Sequence, residues 1–191
     1  MKRLTHSAMM VWLLMQAPSV LAGNATRIQL LADIPAPGAP IIMPLNATAT
    51  ASSYNPTPEM PGTGDSSFTV DGNSATRWES QHNIAPSWLT LNFGATYALN
   101  EVIIDWEAAN AASYSVQGSL DNQNWVPIAE QTGGTFGDRT DTVALSGVYQ
   151  YLRVHGTQRS PGNDWGYSIW EITATGSRYH IADDDNDGVY D

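Results

Sequence analysis

Hydrophobic and polar residues alternate in short runs along most of this chain. Leu89, Leu91 and Phe93 alternate with Trp88, Thr90 and Asn92, and Val102, Ile104 and Trp106 alternate with Ile103 and Asp105. Tyr114 and Val116 continue the pattern, Leu152 and Val154 alternate with Tyr151, Arg153 and His155, and Ile169 to Ala174 form a last apolar run. A period of two is the mark of a strand with one buried face. Gly, Pro, Asn and Asp bound the runs, no long helical period appears, and Asp121-Asn-Gln-Asn124 reads as a polar turn between Ser119 and Trp125. Several short strands at this spacing predict an all-β fold, a β-sandwich.

The pattern begins near Asn46 and ends near Ser177, so the folded domain is expected over 45–177. Residues 1–22 read as a secretory signal peptide. Lys2 and Arg3 precede an apolar run from Ala8 to Leu14, and Val20-Leu-Ala22 offers a cleavage site. That run is too short to span a bilayer comfortably, so membrane insertion is not expected. Residues 23–44 are rich in Ala and Pro and read as a linker. Within it, Ile41-Ile-Met43 is a candidate first strand or docking segment. Residues 178–191 are an acidic linker.

Composition narrows the picture. The chain has 191 residues, enough for one domain with appendages, and is 42% hydrophobic with Trp 7 and Tyr 8, enough for a real core. Loss of the signal would leave six arginines against 19 acids, a net charge of −13. Such a surface repels nucleic acid and anionic membranes and favours neutral ligands or cations. There is no cysteine, which excludes thiol nucleophiles and thiolate metal sites. A secreted domain without disulfides must hold itself together by its core or by a metal.

Candidate chemistry concentrates in Asp71-Gly-Asn-Ser-Ala-Thr-Arg-Trp78 and Trp165-Gly-Tyr-Ser-Ile-Trp-Glu171. Calcium takes six to eight oxygens, mixing carboxylates, hydroxyls and carbonyls. Asp71 offers charge, Gly72 a turn, Thr76 a hydroxyl, Phe68 and Ser74 carbonyls, and Glu171 a second carboxylate from another strand. An Asx turn at Asp71-Gly72 capped by Thr76 explains the first segment equally simply.

Six segments carry a resemblance. Asn46-Ala-Thr-Ala-Thr-Ala-Ser-Ser53, Val70-Asp-Gly-Asn-Ser-Ala-Thr-Arg-Trp78, Trp88-Leu-Thr-Leu-Asn-Phe-Gly94, Tyr114-Ser-Val-Gln-Gly-Ser119, Tyr151-Leu-Arg-Val-His-Gly156 and Trp165-Gly-Tyr-Ser-Ile-Trp-Glu-Ile172 occur in this order. Together they resemble the coagulation factor 5/8 type C (discoidin) domain, in its bacterial form similar to family 32 carbohydrate-binding modules. The resemblance implies a galactose-binding-like jelly-roll β-sandwich. It also implies a structural calcium held by Asp71, Thr76 and Glu171 with carbonyls of Phe68, Ser74 and Trp170. The disulfide that bridges the termini in animal members is absent here.

The tail holds a second acidic motif. Asp183, Asp185 and Asp187 alternate ahead of Gly188, as in the first half of a calcium loop. The acid of the twelfth position is missing, because the chain stops at Asp191. The run resembles the start of a thrombospondin type 3 repeat, which implies further domains of the same polypeptide. A solvated acidic tail is the plainer reading.

A glycan is held by aromatic faces and planar hydrogen-bonding groups. Residues of those types at strand ends or in loops are His82 and Asn83 after the calcium loop, Trp106 and Glu107 at the turn through Asn110, and Arg159, Asn163 and Trp165 in or beside the loop 157–164. Trp106 and Trp165 serve equally well as core residues, and Arg159 as the partner of a surface carboxylate. Trp78, Trp88, Trp125 and Trp170 are expected in the core and His155 on a strand surface.

No Gly-x-Ser-x-Gly elbow, His-Glu-x-x-His or phosphate loop is present, and nothing sets Asp105 and Glu107 across a cleft as a glycosidase pair. The expectation is a non-enzymatic, secreted, calcium-stabilised module that binds polysaccharide or glycan and tethers a larger protein. The alternatives are a cell-surface adhesion or structural protein with a calcium-stiffened acidic stalk, and the targeting module of a longer glycoside hydrolase.

Overall fold

A computed structural model describes residues 42–57 and 61–179, all within the compact unit Pro40–Asp191. The expected signal peptide, most of the expected linker and the acidic motif at Asp183, Asp185 and Asp187 lie outside the described residues.

Among the described residues ten strands follow in order: β1 (Met43–Pro44), β2 (Thr48–Ala51), β3 (Thr63–Gly64), β4 (Arg77–Glu79), β5 (Ser87–Trp106), β6 (Ala111–Ser119), β7 (Val126–Gln131), β8 (Arg139–Ala144), β9 (Val148–Arg159) and β10 (Ser168–Arg178). A 3-10 turn, Ser66–Val70, separates β3 from β4. Among the described residues this turn is the only helical element, and no helix there is long and apolar enough to cross a membrane.

The runs at 89–93 and 102–106, read as two strands, belong to one bent strand. The first half of β5 pairs with β2 and β9, the second half with β8 and β10. The register breaks between Asn92 and Tyr97, where Gly94 sits at φ 71°, a backbone state that glycine adopts without strain. Strand β5 therefore belongs to both layers. One layer runs β2–β5–β9–β6–β7; the other runs β8–β5–β10–β4–β3, with β1 on β10. Met43 of the anticipated linker thus pairs with Gly176 as a short edge strand.

The core lies between the layers. Leu89, Leu91, Val116, Leu152 and Val154 from the first layer join Val102, Ile104, Trp106, Ile169 and Ile172 from the second. These are the inward positions of the alternation. The outward positions explain one departure from expectation. Trp78 is buried, but Trp88, Trp125 and Trp170 are only half-buried. Trp88 shares its parity with Thr90 and Asn92 on the outer face, Trp125 lies under the Arg153 guanidinium, and Trp170 lies under that of Arg77. His155 is half-buried on the same outer face as Trp88, its cross-strand partner.

Candidate functional site

The Asp71 loop joins the 3-10 turn to β4. Gly72 sits at φ 73°, and the Asp71 carboxylate accepts from the Asn73 N–H at 2.8 Å and from Thr76 Oγ1 at 2.9 Å. Thr76 Oγ1 also lies 2.8 Å from the Asn73 carbonyl. Glu171 reaches the loop from β10. The register against β5 slips by one residue between Ile169 and Glu171, and a bulge of this kind re-aims the side chains beside it. The Asn73 N–H leads in holding the Asp71 carboxyl below its usual range. Burial leads in raising Glu171, and the facing Asp71 carboxylate adds to it.

Two carboxylates therefore converge, and one oxygen, Glu171 Oε1, is buried without a hydrogen-bond partner. Among the described residues no three acidic or histidine side chains gather at one point, so hydroxyl and carbonyl oxygens would have to complete any cation shell. The donors at hand are all hard oxygens, and they fit a calcium-sized cation. Ser74 and Trp170 line one cavity with Glu171, and Gly72 lines another with it. Phe68 lies in the 3-10 turn that leads into the loop. The Asn73 carbonyl, already turned toward Thr76 Oγ1, is a donor that the sequence did not single out.

A pocket of about 230 Å³ opens near the other end of β4, lined by Arg77, Glu79, Glu107, Ala108, Ala109, Phe136 and Trp165. Phe136 and Trp165 are each 44% exposed. Their rings stack with centroids 6.1 Å apart and planes at 25°. Glu107 lines the pocket and accepts the Ala109 N–H on Oε2 at 2.7 Å. Glu79 is almost fully enclosed, with Arg77 Nη2 at 3.7 Å and His82 Nε2 at 2.7 Å. His82 thus meets the pocket through Glu79.

Three loops build this surface, and one buried residue ties them together. Asn110, 0% exposed, ends the turn from Glu107. Its Nδ2 donates to the Gly137 carbonyl at 2.7 Å, and its Oδ1 accepts from Arg139, which fixes the loop carrying Phe136. Its carbonyl accepts from Asn163 Nδ2 at 3.1 Å and from the Ser160 N–H at 3.0 Å, which fixes the loop carrying Trp165. Gly166 is obligatory there, because a Cβ would stand 2.3 Å from Ser80 Oγ and 2.9 Å from the Ser80 carbonyl.

Arg159 is not a pocket-lining group. Its Nη1 donates to the Trp165 carbonyl at 2.7 Å and the Asn163 carbonyl at 3.0 Å, so it positions the Trp165 loop. Trp106 is corrected more sharply. It is 1% exposed, packs on Tyr114, and donates its indole N–H to Asp141 at 3.0 Å. Its parity with Val102 and Ile104 carries it inward; it is not among the residues lining the Phe136–Trp165 pocket and borders instead the separate cavity that Ser74 and Glu171 line. Sequence reading missed Glu79, one residue beyond the loop motif, and Phe136. A lone aromatic within Thr132-Gly-Gly-Thr-Phe-Gly-Asp138 is the signal that marks the latter.

The fold defines a jelly-roll β-sandwich module, with an aromatic-lined pocket built by its loops. The model of the F5/8 type C domain matches residues 48–172, more than half of the chain, and the chain belongs to that family. It is similar to chitosan-binding module 1 of a chitosanase/glucanase from Paenibacillus sp. IK-5, at 40% identity over 69% of this chain and 96% of that one, with TM-score 0.60. Module 2 of the same enzyme, solved in complex with chitotriose, is 33% identical over 68% and 96%, with TM-score 0.59. The family 32 module of NanJ from Clostridium perfringens, solved in complex with galactose, shares the fold at 20% identity over 71% and 99%, with TM-score 0.58. No curated protein matches the chain.

Proposed function

We propose that this chain is a secreted carbohydrate-binding module that holds a larger protein on a polysaccharide rich in β-linked amino sugars. One observation carries the reading: an exposed aromatic pair, Phe136 and Trp165, stands over a pocket lined by the carboxylates Glu79 and Glu107. Aromatic faces take up the C–H faces of a pyranose. Carboxylates complement protonated amines, and a chain with 19 acidic residues attracts a polycation at long range. The likeness to chitosan-binding modules at 33–40% identity supports the same class.

Asp71, Thr76 and Glu171 would hold a structural calcium, with Asn73 and the anticipated carbonyls of Phe68, Ser74 and Trp170 as further donors. When bound, the cation would neutralise the facing carboxylates and clip an early loop to the last strand. The orphaned Glu171 Oε1 supports this reading. Secretion rests on residues 1–22, and calcium binding by Asp183, Asp185 and Asp187 rests on their spacing alone. The role assigned is binding rather than catalysis.

Calorimetric titration of the full chain with glucosamine oligomers, N-acetylglucosamine oligomers and galactose tests the ligand class. Glucosamine oligomers should bind tightest, and high salt should weaken them most. A folded chain that binds no polysaccharide refutes the module reading; equal affinity for charged and acetylated oligomers refutes the amino-sugar class.

A further inference from the structure

Beyond the pocket, Tyr54 is the most exposed of the large hydrophobic side chains, at 66%. An exposed aromatic on a mobile loop says little, but the backbone on both sides of Tyr54 is pinned. The Ser53 carbonyl accepts the indole N–H of the buried Trp78 at 2.9 Å, and Ser53 Oγ accepts the Gln81 N–H at 3.1 Å. The Asn55 N–H donates to the Glu79 carbonyl at 2.8 Å. The Asn55 side chain is itself buried, with Oδ1 accepting the Thr57 N–H at 3.1 Å and Nδ2 lying 3.3 Å from His82 Nε2. The folded chain therefore presents the Tyr54 ring to water on a fixed support, with its local ordering cost already met on folding.

The support also fixes where the ring stands. Asn55 is bonded to the backbone of Glu79, and His82 lies between the Asn55 amide and the Glu79 carboxylate. Consecutive Cα atoms are about 3.8 Å apart, which puts Tyr54 within roughly 10 Å of Glu79, or about two sugar residues. Phe136 and Trp165 line the pocket to which Glu79 also belongs, and His82 bonds to Glu79 from outside that lining. Glu79 is thus the residue that links the neighbourhood of Tyr54 to the aromatic pair.

We propose that Tyr54 is the platform of a second sugar position, so that the surface grips a polysaccharide chain along its length rather than a single terminal residue. A chain stacked on Trp165 and Phe136 crosses Glu79 and His82 and meets Tyr54 with a later ring. The inference rests on the glycan reading of the pocket and adds chain length as a determinant of affinity.

The test is calorimetric titration of the full chain with glucosamine oligomers from dimer to hexamer, for the wild type, Tyr54→Ala, Tyr54→Phe and Trp165→Ala. Wild-type affinity should rise with length until both positions are filled. Tyr54→Ala should weaken the longer oligomers by about three- to tenfold, as expected for one lost stacking contact, and leave the dimer unchanged. Tyr54→Phe should restore wild-type behaviour, and Trp165→Ala should weaken every length. If Tyr54→Ala binds all lengths like the wild type, or loses the dimer as much as the hexamer, the second position does not exist. If the wild type binds no oligomer at all, the glycan reading of the pocket falls and takes this inference with it.

Discussion

Replacing Asn110 by alanine tests whether one buried amide holds the binding surface together. The substitution removes the Nδ2 bonds to the carbonyls of Ala108 and Gly137 and the acceptor facing Arg139. The Asn110 carbonyl and its bonds to Ser160 and Asn163 remain, so the Trp165 loop keeps its direct tie while the Phe136 loop loses one. A half-buried carbonyl left unpaired costs about 1 kcal/mol, the low end of the range for a buried one, and a bond to a charged donor contributes about 1.5–3 kcal/mol. Arg139 keeps Asp141 and the Ala111 carbonyl, which places the total near the low end, about 3 kcal/mol. For a domain of this size that lowers Tm by about 10 °C. Scanning calorimetry at fixed calcium measures the loss, and titration with an amino-sugar oligomer at a temperature where the variant is folded measures the second effect. Affinity should fall severalfold although Asn110 touches no ligand, because Phe136 is no longer held against Trp165. A Tm within about 2 °C of the wild type, or an unchanged affinity, would refute the hub.

Trp165→Ala should weaken glycan binding by about tenfold, the scale of a well-placed aromatic anchor, while leaving Tm nearly unchanged because the ring is largely outside the core; a pull-down on insoluble polysaccharide and a melting curve check both halves. Calcium in large excess over its dissociation constant should raise Tm by several degrees, and Asp71→Ala or Glu171→Gln should erase that rise; an undiminished calcium response in both variants rules the site out. Tyr167 Oη is buried without a partner, and burial pushes its hydroxyl up to about 12. The native chain therefore keeps a proton that the unfolded chain releases above about pH 10, so this contribution is complete below that pH and lost as pH rises toward 12. Tyr167→Phe should be neutral or slightly stabilising at pH 7 and should unfold less steeply in urea titrations between pH 10 and 12; identical alkaline profiles would contradict the burial argument.

The strands most legible in the sequence are those whose inward positions are large. Leu89 and Leu91, Val102 and Ile104, and Leu152 and Val154 announce their faces by parity alone. Strand β8 is hard to read because only Val143 points firmly inward from its edge position, and β7 because Pro127 interrupts a run with no fully buried position. Parity also held more than was taken from it, since it set Trp106 inside and Trp88 outside. The loop motif around Asp71 was readable because glycine, hydroxyl and acid types constrain one another locally. The pocket was harder. Glu79 and Phe136 come together through strand pairing and a loop fixed by Asn110, a residue whose buried contacts leave no local pattern. Glu107, Trp165 and His82 stand out by residue type alone, and the structure places the first two on the pocket lining and the third beside Glu79.

Because three loops bond to one buried residue, Asn110, through its side chain and its carbonyl, the loop end should behave as a plate rather than as separate fingers. A plate does not mould itself to a partner. It selects among the shapes a flexible sugar chain already visits, and it leaves the chain free to step from one repeat to the next without refolding the protein at each step. Substitutions in the three loops should accordingly interact rather than add, and a change of ligand would call for their joint exchange.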